Sequence, residues 1–156
     1  MGIEIERKFL VKEKIWQELK KPVGENFRQG YLLTDPHKTI RIRQTTDKGF
    51  LTIKGISVGA TRSEFQYEIP VNEAKELLDQ FAVSELSKIR YRILFADKLW
   101  EVDVFFGDND GLIVAEIELQ SEDEKFILPE WIDREVTDEQ QYFNSNLTLH
   151  PFKDWE

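Results

Sequence analysis

The sequence predicts an α+β fold in which an antiparallel sheet of about eight strands is covered by three short helices. Eight segments alternate apolar and charged residues with a period of two, which is the period of a β-strand. Short links that contain Gly, Asp or Pro separate most of these segments, as is typical of antiparallel neighbours. A chain of 156 residues, 40% of them hydrophobic, is sufficient for one packed domain, so a single domain over residues 1–156 is expected.

The strands are predicted in chain order from this alternation. In the first, "GIEIERKF", Ile3 and Ile5 lie on one face and Glu4 and Glu6 on the other, with Arg7 as the one charge on the apolar side. Arg7 is expected at the exterior of the sheet or at a subunit contact. The other predicted strands are "FRQGYLL", "TIRIRQT", "FLTIKG", "TRSEFQYEIP", "SKIRYRILF", "LWEVDVFF" and "LIVAEIELQ".

Three short helices are predicted between and after the strands. The first contains Trp16 in an apolar stripe, and the second opens at Asn72, after Pro70. The third begins at Thr137, where Gln140 three residues later completes a capping box, and it runs to about position 146. The segment "LPEWIDREVT" before it is expected to be an ordered loop.

Composition and charge exclude several classes of function. The chain has no cysteine, which excludes disulfides, thiolate metal sites and a cysteine nucleophile, and which fits a cytoplasmic location. No apolar run approaches the roughly 20 residues of a membrane span, so no membrane association is expected. A net charge of −9 argues against non-specific binding to nucleic acid, although a local basic pocket is compatible with that total.

The polar face of the strands is almost entirely charged, with hardly any Ser, Thr, Asn or Gln at its central positions. Two architectures satisfy this pattern: an open sheet that turns its charges to water, or a closed sheet whose charges line a lumen. The alternation leaves both open, and the scarcity of uncharged polar residues favours the lumen. The residues of this face are Glu4, Glu6, Lys8, Arg41, Arg43, Lys54, Arg62, Glu64, Lys88, Arg90, Arg92, Glu101, Asp103, Glu116 and Glu118.

A lumen of this composition would suit a polyanion together with a metal ion. Its cationic residues need anions, because like-charge repulsion grows steeply at low dielectric. Glu4 with Glu6, and Glu116 with Glu118, are same-face carboxylate pairs that repel unless a proton or a metal joins them. Carboxylate oxygens are ligands for a hard cation such as Mg²⁺ or Mn²⁺. Basic side chains beside such a cation are the arrangement that phosphate chains require.

The sequence resembles the CYTH superfamily, the triphosphate tunnel metalloenzymes. "EIERK" fits the ExExK signature of that family, and the resemblance continues through "QGYL", "RIR", "LTIKG", "TRSEFQYEIP", "KIRY", "WEVDVF", "GLIVAEIEL" and "EVT…Y.NS.L…P". The ordered set covers nearly the whole chain and is far more specific than a lone ExExK. The resemblance implies a closed eight-stranded antiparallel β-barrel, with a charged lumen that binds triphosphate and a divalent metal, and with helices packed outside.

The resemblance also implies roles for individual residues. Lys88 beside Tyr31 is the candidate general base, and a metal-bound hydroxide served by Glu64 is the rival; Arg62 would orient Glu64. The implied metal ligands are Glu4, Glu6, Asp103, Glu116 and Glu118. The implied ligands of the triphosphate are Lys8, Arg41, Arg43, Lys54, Arg62, Lys88 and Arg90.

The expected function is the metal-dependent hydrolysis of inorganic triphosphate or of a related small triphosphate. The alternatives are a class IV-type adenylate cyclase, a thiamine triphosphatase and a non-catalytic polyphosphate-binding module. Both glutamate pairs are intact, which favours catalysis over the binding module. Gln66 stands where relatives often have a second acid after Glu64, so this chain lacks the charge of that acid. A homodimer is compatible with the family.

Overall fold

The structure, a computed structural model, describes residues 2–155, and within them the chain forms nine β-strands and three α-helices. The outermost positions of the predicted domain, residues 1 and 156, lie outside the described residues. The strands are β1 (Gly2–Val11), β2 (Glu25–Asp35), β3 (Lys38–Gln44), β4 (Gly49–Gly55), β5 (Thr61–Ile69), β6 (Ser84–Phe95), β7 (Lys98–Phe105), β8 (Ile113–Glu118) and β9 (Ile132–Glu135). The helices are α1 (Glu13–Glu18), α2 (Val71–Phe81) and α3 (Asn144–Leu149).

Eight strands close into an antiparallel barrel, which confirms the closed architecture over the open sheet. Hydrogen bonds join the strands in the order β5, β4, β3, β2, β6, β7, β8 and β1, and β1 pairs again with β5. This last seam pairs Glu4 with Arg62, and the opposite edge of β1 pairs Lys8 with Glu116. Because side chains alternate along each strand, closure places the charged face inside and the apolar face outside.

The ninth strand corrects the prediction of a loop over "LPEWIDREVT". Residues Ile132–Glu135 of this segment form β9, which pairs Phe9 with Glu135 and Val11 with Ile132. The Glu6 amide donates to the Ala60 carbonyl near β5, and the Val136 amide donates to the Lys8 carbonyl further along β1. Thus β9 continues along the edge of β1 that β5 covers only in its first half. Four residues with little alternation give no strand signal on their own, since the pairing is with a distant part of the chain.

Two of the three predicted helices are confirmed, and the third is shifted. α1 contains the buried Trp16, and α2 starts at Val71, one residue before the predicted opening. The predicted helix from Thr137 is wrong: this region has a 3₁₀ turn at Gln140–Tyr142 and then α3. The Thr137 hydroxyl accepts from the Lys8 amide at 3.0 Å, so it caps the edge of β1 instead of a helix. No helix within residues 2–155 is long and apolar enough to cross a membrane.

Two apolar clusters pack helices against the outside of the barrel. Trp16, Trp100 and Trp131 meet edge to face, with ring centroids 5.6 Å apart for Trp16 and Trp131 and 5.9 Å apart for Trp100 and Trp131. On the other side, α2 places Leu78 against β2 and β3. A Cβ at Gly30 would lie 2.6 Å from Leu78 Cδ2, so glycine at this position permits the close packing of helix on strand.

A third apolar cluster closes one end of the barrel from within. Each strand of this cluster contributes an apolar residue two positions from a charged residue of the inner face, and the side chain therefore points inward. These residues are Leu86, Phe105 and Val114. They pack against Tyr142 and Leu147 of the C-terminal segment, all of them buried. The charged cavity is thus bounded at one end by an apolar core to which the C-terminal segment contributes.

Candidate active site

The barrel encloses a charged cavity of about 470 Å³. The predicted site residues that line it are Glu4, Glu6, Lys8, Tyr31, Arg41, Arg43, Lys54, Arg62, Glu64, Lys88, Arg90, Glu116 and Glu118. Of the predicted set, Asp103 is the one residue that does not line the cavity. The period-2 alternation therefore brings the predicted residues together around a single space, although it does not by itself establish their roles.

Arg41 and Arg43 are buried guanidinium groups of the cavity wall that have no anionic partner among the described residues. Arg41 and Arg43 are 7% and 9% exposed, and within the described residues neither forms an ion pair. Arg41 Nη2 donates to Thr52 Oγ1 at 3.1 Å, and its buried Nε has no partner among residues 2–155. Burial, together with the charges of Arg41 and Arg90, lowers the pKa of Arg43 to about 9. This side of the cavity is therefore a strongly electropositive surface that an anion would stabilise.

Arg90 is in the opposite situation, because carboxylates surround it. Its Nε and Nη2 donate to Asp103 at 2.8 and 2.9 Å, and Nη2 also donates to Glu116 at 3.0 Å. Despite burial, these carboxylates raise the pKa of Arg90 well above its usual value. Paired in this way, Arg90 neutralises carboxylates and leaves Arg41 and Arg43 as the principal unneutralised cations on their side.

Asp103 differs from its expected place among the metal ligands. It is 1% exposed and accepts hydrogen bonds from both Lys88 Nζ, at 2.8 Å, and Arg90. Burial would raise the pKa of Asp103, but Arg90 and Lys88 hold it below its usual value. In this structure Asp103 is a buried counter-ion beneath the cavity wall. Sequence alternation could not distinguish Asp103 from the other acids, because Asp103 lies on the same charged face of its strand. What sets it apart is its bonds to Lys88 and Arg90, which the alternation does not report.

The acids of the cavity form two neighbouring pairs. Burial, followed by the charges of Glu116 and Glu4, raises the pKa of Glu6 well above its usual value, and Glu6 shares a hydrogen bond with Glu116. Burial and a hydrogen bond with Glu4 likewise raise the pKa of Glu64. Lys54 Nζ lies 3.2 Å from both Glu4 Oε1 and Glu64 Oε2 and partly offsets their charge. The cluster favours a proton, or another cation, between its carboxylates.

This donor set fits a hard divalent cation. Its oxygens come from carboxylates alone, which are the ligands that such cations prefer. Within residues 2–155, no three acidic, histidine or cysteine side chains are already arranged around a common metal position. The crowding of Glu6 with Glu116 and Glu4, which after burial is what raises the pKa of Glu6, supports the fit, because a cation placed beside these carboxylates would offset their repulsion.

Lys88 is a buried residue of the cavity wall. It is 2% exposed, and burial together with the nearby charges of Arg90 and Arg43 lowers its pKa to about 7, although Asp103 acts in the opposite direction. Burial therefore favours the uncharged amine of Lys88. This is the property required of a general base.

The structure shows two site residues that the sequence reasoning missed, Gln29 and Asn144. Lys88 Nζ donates to Asn144 Oδ1 at 2.6 Å, and Gln29 Nε2 donates both to Asn144 Oδ1 at 3.1 Å and to the Tyr31 hydroxyl at 3.2 Å. Gln29 could have been found, because it is two residues before Tyr31 on β2. Asn144 belongs to the C-terminal segment, and no local sequence pattern indicates where this segment packs on the barrel.

The C-terminal segment also covers part of the cavity with an aromatic ring. Phe143 lies between two cations, with Lys8 Nζ and the Arg62 guanidinium each 5.2 Å from its ring centroid. Arg62 Nε donates to Ser57 Oγ at 2.9 Å. These contacts hold Lys8 and Arg62 at the cavity surface, where for Lys8 the cation–π attraction adds to an ion pair between Lys8 Nζ and Glu116 Oε2 at 3.4 Å.

Comparisons with known proteins agree with this geometry. The model of one protein family, described as the CYTH domain, matches residues 2–149. The inorganic triphosphatase of Acetivibrio thermocellus is 46% identical over 157 residues, covering 100% of this chain and 99% of that protein. The inorganic triphosphatase of Nitrosomonas europaea is 37% identical over 150 residues, covering 94% and 97%. A crystal structure of an inorganic triphosphatase has a TM-score of 0.64 at 34% identity and covers 96% of both chains.

Proposed function

The chain belongs to the CYTH domain family, and from this membership we propose that it hydrolyses inorganic triphosphate to diphosphate and phosphate inside its barrel. The observation that carries the proposal is the division of the cavity, in which Arg41 and Arg43 have no anionic partner among residues 2–155 while Glu4, Glu6 and Glu116 crowd together. A polyphosphate supplies the missing anions, and a cation relieves the crowded carboxylates. The two relatives named as inorganic triphosphatases, similar over their full length, support the same substrate.

The cationic residues would bind and orient the phosphate chain. Arg41 and Arg43 of β3 would present guanidinium groups to it, and Lys8 of β1, Lys54 of β4 and Arg62 of β5 line the same cavity. Guanidinium groups bind phosphate oxygens through paired N–H donors, which fixes orientation as well as charge. Restricting the chain in this way removes much of the entropic barrier to attack at one phosphorus.

The carboxylates would hold a divalent metal ion, with Mg²⁺ and Mn²⁺ as the proposed species. Glu4, Glu6, Glu116 and Glu118 line the cavity and are the proposed ligands. Asp103 is the counter-ion of Lys88 and Arg90 behind them. When bound, the cation would neutralise charge on the phosphates at the scissile bridge.

Hydrolysis joins a water oxygen to the terminal phosphorus and breaks its bond to the bridging oxygen, which leaves on diphosphate. The attacking water loses one proton. Lys88 Nζ, whose pKa is about 7, is the proposed acceptor. Glu64, whose pKa burial raises, is the alternative acceptor.

Phosphate release from different substrates tests this function. Triphosphate, ATP, diphosphate and thiamine triphosphate are compared with Mg²⁺ or Mn²⁺, and cyclic AMP is assayed in parallel. We expect the highest kcat/KM for triphosphate, and loss of the activity on chelation of the metal. Cyclic AMP as the dominant product, or faster cleavage of thiamine triphosphate, would overturn the assignment in favour of a cyclase or a thiamine triphosphatase.

Assembly and location stay predictions. Sedimentation of the purified chain would test the homodimer, and fractionation of cells would test the cytoplasmic location.

A further inference from the structure

Lys88 and Tyr31, expected as neighbours, are joined through two amide side chains and not directly. Tyr31 Oη accepts from Gln29 Nε2, whose other acceptor is Asn144 Oδ1, and Asn144 Oδ1 also accepts from Lys88 Nζ. Gln29 is 0% exposed and Lys88 is 2% exposed, so water cannot substitute freely for these bonds. The chain of contacts links β2, β6 and the first residue of α3.

The direction of each hydrogen bond in this chain follows from one fixed donor. Arg43 Nε donates to Gln29 Oε1 at 3.0 Å, and a guanidinium group cannot accept. Gln29 must therefore turn its NH₂ group to the other side, where it donates to Asn144 and Tyr31. Asn144 must then present its oxygen, and this oxygen is what Lys88 Nζ needs as an acceptor.

The same bonds determine what remains free on the two reactive groups. Lys88 Nζ uses two of its hydrogen-bonding positions to donate to Asp103 at 2.8 Å and to Asn144 at 2.6 Å. Lys88 also lines the cavity, so its remaining position, a proton or a lone pair, faces that space. Tyr31 accepts from Gln29 through its oxygen, which leaves its own hydrogen for an acceptor in the cavity.

We propose that Gln29 and Asn144 are positioning residues that direct the free position of Lys88 Nζ and the hydroxyl hydrogen of Tyr31 into the cavity. This inference rests on the proposed function, because directing these two groups into the cavity matters for catalysis only when a phosphate and an attacking water are bound there. It gives α3 a role in catalysis: the fully buried Leu147 anchors the helix whose first residue holds Lys88.

Isosteric variants test the proposal by kinetics. Asn144→Leu keeps the size of the side chain and removes the acceptor, and we expect kcat to fall by about tenfold or more, equivalent to about 1.4 kcal/mol, with KM nearly unchanged. Gln29→Glu replaces the Nε2 donor with an oxygen and should also lower kcat, and its added carboxylate beside Arg43 should in addition raise KM. Asn144→Asp keeps an acceptor and should retain more of kcat than Asn144→Leu. The matched control is Asn146→Leu, which removes an amide on the same helix that bonds the Gln140 carbonyl.

A second measurement does not depend on activity. In protein labelled with ¹⁵N-lysine, the Lys88 Nζ resonance is assigned by its loss in Lys88→Met. Asn144→Leu and Gln29→Glu should shift this resonance, whereas Asn146→Leu should not. An unmoved resonance, or a loss confined to KM, would overturn the positioning role. If the wild-type protein releases no phosphate while the variants still shift the Lys88 resonance, the proposed function is refuted and the hydrogen-bond arrangement stands.

Discussion

At the scale of single residues, the cavity contains two kinds of charged side chain. Some form ion pairs that stabilise the fold, and others are available to bind a ligand. Arg90 has bonds to Asp103 and Glu116, whereas Arg41 is buried with an unpartnered Nε among the described residues. Removing a buried ion-pair partner leaves an uncompensated charge, but removing an uncompensated charge relieves one. The two arginines should therefore respond to the same substitution in different ways.

Replacing each arginine by methionine tests this distinction. Arg90→Met should lower the free energy of unfolding of the ligand-free protein by about 3–5 kcal/mol, because Asp103 and Glu116 lose their partner. Arg41→Met should change that free energy by less than about 1 kcal/mol, yet weaken triphosphate binding by about tenfold or more. Urea denaturation and isothermal titration measure the two effects. Equal destabilisation by both variants would contradict the division of the cavity.

The carboxylate cluster gives a second prediction at this scale. Glu6→Gln resembles the protonated form that the raised pKa of Glu6 favours, so the ligand-free protein should keep its stability. Phosphate release should nevertheless be abolished, because a neutral amide is a poor substitute for a carboxylate ligand of a divalent cation. Glu68→Gln, on β5 outside the cavity lining, is the matched control. Unchanged release by Glu6→Gln at saturating metal would refute its place as a ligand.

Most cavity residues were predictable because the strand period alone decides which face a side chain occupies. Glu4, Arg41 and Lys88 lie in long alternating segments, and closure of the barrel then brings them together. Alternation does not indicate which neighbouring side chain a charged residue will bond to. The burial of Asp103 under Lys88 and the position of Asn144 are determined by contacts distant in sequence, so no local pattern indicates them.

At the scale of elements, β1 connects the parts of the barrel. It pairs with β5, β8 and β9, and its outward-facing Arg7 binds Glu135 of β9 through two bonds of 2.8 and 2.6 Å. The prediction that Arg7 lies at the barrel exterior agrees with this position. The ring of Phe126 lies 4.9 Å from the Arg7 guanidinium, so the pair is packed as well as charged.

The pH dependence of this pair follows from the lowered pKa of Glu135. Its hydrogen bond with Arg7 is the main cause, so the pair stabilises the fold above the unfolded pKa of the acid and loses that effect as pH falls through the folded value. Both side chains are about one-third exposed, at 31% and 34%, so Glu135→Gln should cost only about 0.5–1 kcal/mol at pH 7. The difference from wild type should shrink at pH 3. Urea denaturation at both pH values, with Glu130→Gln as a control, measures it; a constant difference would contradict the assignment.

The C-terminal helix should contribute to stability through a single buried face. Leu147 is 0% exposed in the cluster that closes the barrel, whereas Leu149 of the same helix is 57% exposed. Leu147→Ala should lower the free energy of unfolding by about 2–5 kcal/mol, and Leu149→Ala by less than about 0.5 kcal/mol. Comparable losses from the two variants would show that α3 does not pack as described.

Elements were predictable where their own residues carry a pattern. The eight barrel strands alternate over six or more residues, and α2 has an apolar stripe after Pro70. β9 has four residues and exists because the edge of β1 is available, and Thr137 caps that edge instead of a helix. In both cases tertiary hydrogen bonds override the local signal.

At the scale of the whole molecule, an acidic protein concentrates its cations inside. The net charge is −9, yet the cavity is lined by basic residues drawn from five of the eight barrel strands. A polyanion bound there contacts β1, β3, β4, β5 and β6 at once. Binding should therefore stabilise the fold as a unit, since unfolding of any of these strands disperses the site.

Triphosphate should accordingly raise the unfolding temperature of the whole protein. A ligand that binds the folded state alone stabilises it by about 2.7 kcal/mol at 100 times its dissociation constant. The measurement is calorimetry with chelator present, so that the ligand is not consumed, at increasing triphosphate concentration. Diphosphate should produce a smaller shift, because it supplies fewer oxygens to the cations, and Arg41→Met should reduce the shift from triphosphate. Sulfate at equal ionic strength controls for general anion effects, and an equal shift from sulfate would mean that the cavity recognises charge without recognising a phosphate chain.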